Sequence, residues 1–154
     1  MSEHHAGVRW TRQSTDYTYE SYNRAHQIRF KDGRIELPAS SAPAFRGNAD
    51  RVDPEEAFVA SLSSCHMLTF LAICARKRLI VDAYEDEAVG VLDHGPEKKL
   101  WMARVVLRPK VTFGEDVQVS ADLLHDIHHR AHDECFIANS VKTNVTVEPQ
   151  ETYP

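Results

Sequence analysis

The stretch DPEEAFVASLSSCHMLTFLAICARKRL, residues 53–79, decides how the chain is read. Residues 57–75 contain no Asp, Glu, Lys or Arg, yet they hold three serines, a threonine, a histidine and two cysteines. Asp53-Pro54-Glu55-Glu56 is a helix start: Asp53 caps, Pro54 suits the first helical position, and Glu56 stands three residues after the cap as in a capping box. Lys77 and Arg78 suit the C-terminal end of the same helix, where the macrodipole favours cations. Nineteen uncharged residues reach the lower end of the roughly 17–25 that cross a bilayer. A helix apolar nearly all round is either such a span or the centre of a core. Ser61, Ser63, Ser64, His66 and Thr69, with no second span elsewhere, point to the core. In a chain of 154 residues, a fully wrapped helix calls for much surrounding sheet, part of it from a second subunit.

The rest of the chain suits that placement. Its 42% hydrophobic and 27% charged residues are ordinary for one folded domain, 1–154. A net charge of −5 with no basic stripe excludes a nucleic-acid partner. Residues 1–20 show no apolar h-region, so no secretory signal is expected. Three cysteines without one argue for a reducing cytoplasm and against a disulfide framework.

Up to about Pro43 the chain reads as extended structure and turns, with an Asp32-Gly33 hairpin turn and a loop from Pro38. After the long helix, VDAYEDEAVGVLDHG reads as one strand and LWMARVVLRPKVTF as another. In the second, Trp101, Ala103, Val105 and Leu107 share a face. A second helix is expected from Val117 to about Asp133, with Leu123, Leu124, Ile127 and Ala131 at helical spacing, and VKTNVTVEP closes the chain as a strand. The order is β-β-(β)-α-β-β-α-β, an α+β fold.

Residues on a helix advance about 100° each. Cys65 and Cys74, nine apart, therefore point to opposite sides and cannot pair within the helix. Phe58, Leu62, Cys65, Leu68 and Ala72 share one stripe; Cys74 lies with Met67, Phe70 and Leu71. Cys74 is expected to be a small buried hydrophobe, and Cys65 taken alone could be one too. Cys135 closes the second helix and continues the stripe of Leu124 and Ala131. The two thiols, on inward faces of two helices, could meet.

With DPEEAFVASLSSCHMLTFL followed far downstream by AHDECFIANSVKTNVTVE, the chain resembles the OsmC/Ohr family, the osmotically inducible and organic hydroperoxide resistance proteins. The family pattern has an NPEEL-type helix start, a cysteine ten residues after the first glutamate, and a second cysteine closing a later helix. Glu55 and Cys65 are ten apart. The resemblance runs from about Tyr22 to Val147. It implies two central helices wrapped by sheets in an intertwined homodimer, with active sites at the subunit interface. It also implies a cysteine peroxidase needing no cofactor. Cys65 attacks an organic hydroperoxide, becomes a sulfenic acid and condenses with Cys135; a dithiol, often a lipoylated protein, reduces the disulfide. Phe136 follows Cys135 where the family often has proline, which bears on substrate and reductant and not on fold.

The thiolate is the reactive form, and apolar surroundings disfavour it. The helix dipole fades within the first turn and gives Cys65, three turns in, little help. A cation is therefore needed, and the family uses an arginine held by the glutamate. Glu55 matches the glutamate, though by itself it is also an acid favoured at a helix start. Arg24 matches the arginine of one branch of the family, and Arg46, in AFRGN, is the alternative. Glu55 and Cys65 are separated by roughly 15 Å of helical rise. Either the arginine spans between them or a partner subunit completes the site. Asp133 and Glu134 are expected to raise the pKa of Cys135, as suits a resolving thiol.

HDIHHRAHDEC places His125, His128, His129 and His132 at i, i+3, i+4 and i+7. That spacing suits a divalent metal, and metal binding through this helix is one alternative function. A solvated helix face accounts for it more simply, so no metal ligand is assigned. A binding or stress-response module with idle cysteines is the other alternative. His66, about 100° off the thiol's stripe, is expected to pack.

Overall fold

The computed structural model describes residues 1–95 and 97–150. The chain forms two compact units, Met1–Ala57 and Phe58–Pro154.

The first unit holds an antiparallel sheet of β1 (Gly7–Arg9), β2 (His26–Phe30) and β3 (Ile35–Ala39), in the order β1-β2-β3. The tight connection between β2 and β3 carries Asp32 at φ 56° and Gly33 at φ 84°. Lys31, at φ 51°, makes three successive left-handed residues, of which the Asp-Gly pair supplies two cheaply. After β3, Ala39 makes a parallel bridge to Val52, and the Ser40 N–H donates to the Val52 carbonyl at 3.0 Å. That contact returns the loop to the start of α1 (Pro54–Arg76). The expected capping box closes there: the Glu56 N–H donates to Asp53 Oδ1 (2.8 Å) and the Asp53 N–H to Glu56 Oε2 (3.0 Å).

In the second unit α1 is followed by β4 (Val81–Asp86), β5 (Val89–His94), β6 (Leu100–Leu107), β7 (Pro109–Phe113), α2 (Ala121–Asp133) and β8 (Asn144–Val147). β4 pairs with β7, and β5-β6-β8 form a second sheet in which β6 and β8 run parallel. Both long strands of the sequence reading are therefore corrected: each is two strands that leave one sheet for another. Asp86 pins the crossing point, since its carboxylate accepts the Arg108 N–H at 2.6 Å and the Ser63 hydroxyl at 2.5 Å. Pro109, which has no N–H to donate, starts β7 on the far side. α2 also starts later than expected, at Ala121, because the Ser120 hydroxyl caps it by accepting the Leu123 N–H (3.2 Å).

Two apolar clusters fill this unit. Leu62, Val105 and Leu107 form one, under the β5-β6-β8 sheet. Phe70, Ile73, Cys74, Val111, Ile127 and Ala131 form the other, between α1, α2 and β7. The buried line of α1 is thus Leu62, His66, Phe70, Ile73 and Cys74. Cys65 lies beside that line, half-buried; Leu68 is 61% exposed and Ala72 is exposed. The expectation that Cys65, Leu68 and Ala72 share the inward stripe is corrected in this respect. A helix uncharged all round gives periodicity no polar face from which to choose. Only 28% of its most apolar window is buried within the chain. α1 is long and apolar enough to cross a membrane by length and composition. Its buried line is nevertheless packed against both clusters.

Candidate functional site

Cys65 stands on the third turn of α1, and Cys135 directly after α2, where the chain turns into a short 3-10 segment, Ala138–Ser140. All three cysteines are free thiols. The Cys135 side chain is fully buried, and the Cys65 thiol is near enough to bear on its ionisation. Burial first, then the Cys65 thiol, push the Cys135 pKa up to about 11, against the opposing pull of the Ala138 and Ile137 amides. The direction is the one expected, but its cause is burial and the facing thiol, with no contribution from Asp133 or Glu134. Cys74 is 1% exposed, and burial raises its pKa to about 11; it is an inert part of the core, as its place in the apolar stripe implied.

Beside the thiols the structure holds a buried pair that the sequence did not reveal. His66 Nε2 and His128 Nδ1 are 3.0 Å apart and share one proton. The rings are nearly parallel, at 6°, and Phe70 stacks on His128 at 4.3 Å between centroids. Burial is the main reason that the pKa of His66 falls to about 4 and that of His128 to about 3; His132 lowers the first further, and His66 and His125 the second. Both imidazoles are therefore neutral at physiological pH. The available signal was a lone histidine in an uncharged helix, which is not enough to name its partner 62 residues away.

The remaining candidates belong to the first unit. The Arg24 guanidinium donates to the carbonyls of Tyr22 (2.9 Å) and Tyr19 (2.6 Å). It also lies over the Tyr22 ring at 4.1 Å and the Tyr19 ring at 5.0 Å. Arg46 lies over the same Tyr19 ring at 5.8 Å. The two alternatives of the sequence reading thus share one aromatic platform, with contacts that hold a cation by its flat face. Glu55 is half-buried in the first turn of α1. Among the described residues no ion pair includes Glu55, Arg24 or Arg46. Likewise, no three His, Cys, Asp or Glu side chains among them are already gathered around a metal position.

The profile of the family described as OsmC-like protein matches residues 47–150, the span from the loop before α1 to the end of β8 and beyond. The chain belongs to the OsmC-like family. Among solved structures, this OsmC-like chain is similar to an OsmC-like protein of unknown function from Vibrio cholerae. The two are 45% identical over 97% of this chain and 100% of that one, with a TM-score of 0.92. An organic hydroperoxide resistance protein OsmC from Legionella pneumophila is 17% identical over 97% of this chain and 96% of that one, TM-score 0.72. The organic hydroperoxide resistance protein OhrB of Bacillus subtilis is 16% identical over 97% and 98%, TM-score 0.69. At those identities the last two establish the shared α+β fold. No curated protein matches the chain.

Proposed function

We propose that the chain is a thiol peroxidase that reduces organic hydroperoxides in the cytoplasm, as part of a defence against oxidative or osmotic stress. The observation that supports this best is the approach of the Cys135 thiol to Cys65 from a different helix, with Cys135 the more deeply buried of the two. The Cys65 thiolate attacks the terminal oxygen of the hydroperoxide. An S–O bond forms, the O–O bond breaks, and the alkoxide leaves and takes a proton to become the alcohol. Cys65 is now a sulfenic acid. The Cys135 sulfur attacks it, hydroxide leaves with the Cys135 proton as water, and a Cys65–Cys135 disulfide forms. An external dithiol, such as a lipoylated protein, takes the disulfide back to two thiols and is itself oxidised to a disulfide. Cys135 suits the second role because its raised pKa keeps it protonated while Cys65 reacts.

Arg24 supplies the cation that favours the Cys65 thiolate, with Arg46 as the alternative, and Glu55 orients the guanidinium through a paired carboxylate. These roles rest on the family resemblance. The uncharged exposed line Ser61, Ser64, Leu68, Ala72 and Ala75 of α1 is covered by a second copy in a homodimer. An uncharged line of that length on so apolar a helix, left in water, is an association surface.

Treatment with tert-butyl hydroperoxide followed by mass spectrometry tests the cycle. A Cys65–Cys135 disulfide is expected, with peroxide consumption abolished in Cys65→Ser and a trapped sulfenic acid in Cys135→Ser. Unchanged consumption in Cys65→Ser would show that the thiols are idle.

A further inference from the structure

The peroxidase chemistry makes no use of the four histidines of α2. His125, His128, His129 and His132 line a pocket of about 140 Å³ together with Val145 and Val147 of β8. Two observations separate it from a merely solvated histidine face. The first is burial. His128 is 2% exposed, and its Nε2 meets no hydrogen-bonding partner; nor does the buried Nδ1 of His132. A buried polar nitrogen left so is destabilising and calls for a physical reason.

The second is how the Nδ1 atoms are held. His66 Nε2 and His128 Nδ1 share one proton at 3.0 Å. With that proton on His128 Nδ1, His128 Nε2 is a bare lone pair on the opposite edge of a ring that lines the pocket. His129 is held in the same sense: its Nδ1 lies 3.3 Å from the Asp133 carboxylate, leaving Nε2 as the free nitrogen. An imidazole whose Nδ1–H is fixed by an acceptor while Nε2 stays open is how metal-ligating histidines are oriented. Asp126 and Asp133 on the same helix favour a cation over an anion.

We propose that this pocket binds a divalent transition-metal ion of the zinc, nickel or copper class. His128 Nε2 and His132, one turn apart on α2, anchor it, and His129 adds a ligand at the rim. His66 and Asp133 are positioning residues that hold the Nδ1 atoms of His128 and His129. Imidazole donors select such ions over magnesium and calcium, which take oxygen ligands. Among the described residues these donors are not gathered in the structure as it stands, so binding requires the exposed His129 and the half-buried His132 to rotate towards His128.

Calorimetric titration of the tag-free full chain with zinc chloride tests the site, in a Cys65→Ser/Cys135→Ser background that removes thiol ligation. One ion per chain is expected, with no heat from magnesium. His132→Ala should weaken binding at least about tenfold, and Asp133→Asn about 10–100-fold, the range for loss of an orienting partner. His128→Ala empties a core position, so the less buried His132, His129 and Asp133 carry the test. Unchanged zinc affinity in both His132→Ala and Asp133→Asn overturns the proposal. So does binding lost only in His4→Ala/His5→Ala, or inorganic phosphate binding where zinc does not. Because Cys65 and Cys135 are absent from this background and Cys74 is buried in the core, the outcome is independent of the peroxidase assay.

Discussion

Removing the Asp86 carboxylate tests how the second unit is held together beside the thiols. Asp86 ends β4 and receives two hydrogen bonds, from the Arg108 N–H at 2.6 Å and from the Ser63 hydroxyl at 2.5 Å. Ser63 lies two residues before Cys65, so one carboxylate ties the Cys65 segment of α1 to the corner where β6 gives way to β7. A hydrogen bond to a charged group is worth about 1.5–3 kcal/mol. The site is half-buried, so the lower half of that range applies to each bond, and Asp86→Ala should cost about 3 kcal/mol. Ser63→Ala removes one of the bonds and should cost about 1.5 kcal/mol. For a chain of this length 1 kcal/mol moves Tm by roughly 2–4 °C, so Asp86→Ala should melt about 6–12 °C below wild type. Urea unfolding at one fixed protein concentration measures it, because association changes apparent stability. The double variant should show a coupling energy of at least about 0.5 kcal/mol, as for residues in contact. An Asp86→Ala loss below about 1 kcal/mol, or strict additivity with Ser63→Ala, would refute the claim that this carboxylate bridges helix and corner.

Acid should weaken the fold through the histidine pair. Both folded pKa values lie below the ordinary 6.5, so below pH 6.5 the unfolded chain takes up protons that the folded chain refuses. Stability then falls from pH 6.5 towards 4, by about 2 kcal/mol per histidine at pH 5 and by less than the sum for the coupled pair; equal urea midpoints at pH 5 and pH 7 would contradict a neutral buried pair. Alkylation by iodoacetamide at pH 8 should label Cys65 first, because Cys74 and Cys135, pushed up to about 11, hold a thiolate fraction on the order of one in a thousand; peptide mapping that finds Cys135 modified first would reverse the two roles. Sedimentation should show a dimer at micromolar concentration. Leu68→Asp, on the exposed line of α1, should shift it to monomer, and a wild-type monomer would remove the second copy from the proposal.

The elements that the sequence by itself determined are those written in local chemistry. Asp53, Pro54 and Glu56 specify the start of α1 through two reciprocal hydrogen bonds within four residues. Asp32-Gly33 marks the turn between β2 and β3, because few other pairs accept two left-handed conformations in succession; that Lys31 joins them is not written in the pair. The cysteines at 65 and 135 were legible as a family spacing, and Cys74 as core. Tertiary structure decided what local pattern leaves degenerate. A strand that continues and a strand that changes sheets have the same alternation, so the crossings at Asp86 and Arg108 depend on a carboxylate meeting an amide 22 residues away. A helix without charged residues has no sequence-visible inside, and contact with α2 and the sheets turned His66 inward while leaving Leu68 outward. The partnership of His66 with His128 followed from that rotation. Hydrogen bonds between residues far apart in sequence form only when packing brings both polar groups out of water together, and no periodicity within either helix encodes that meeting.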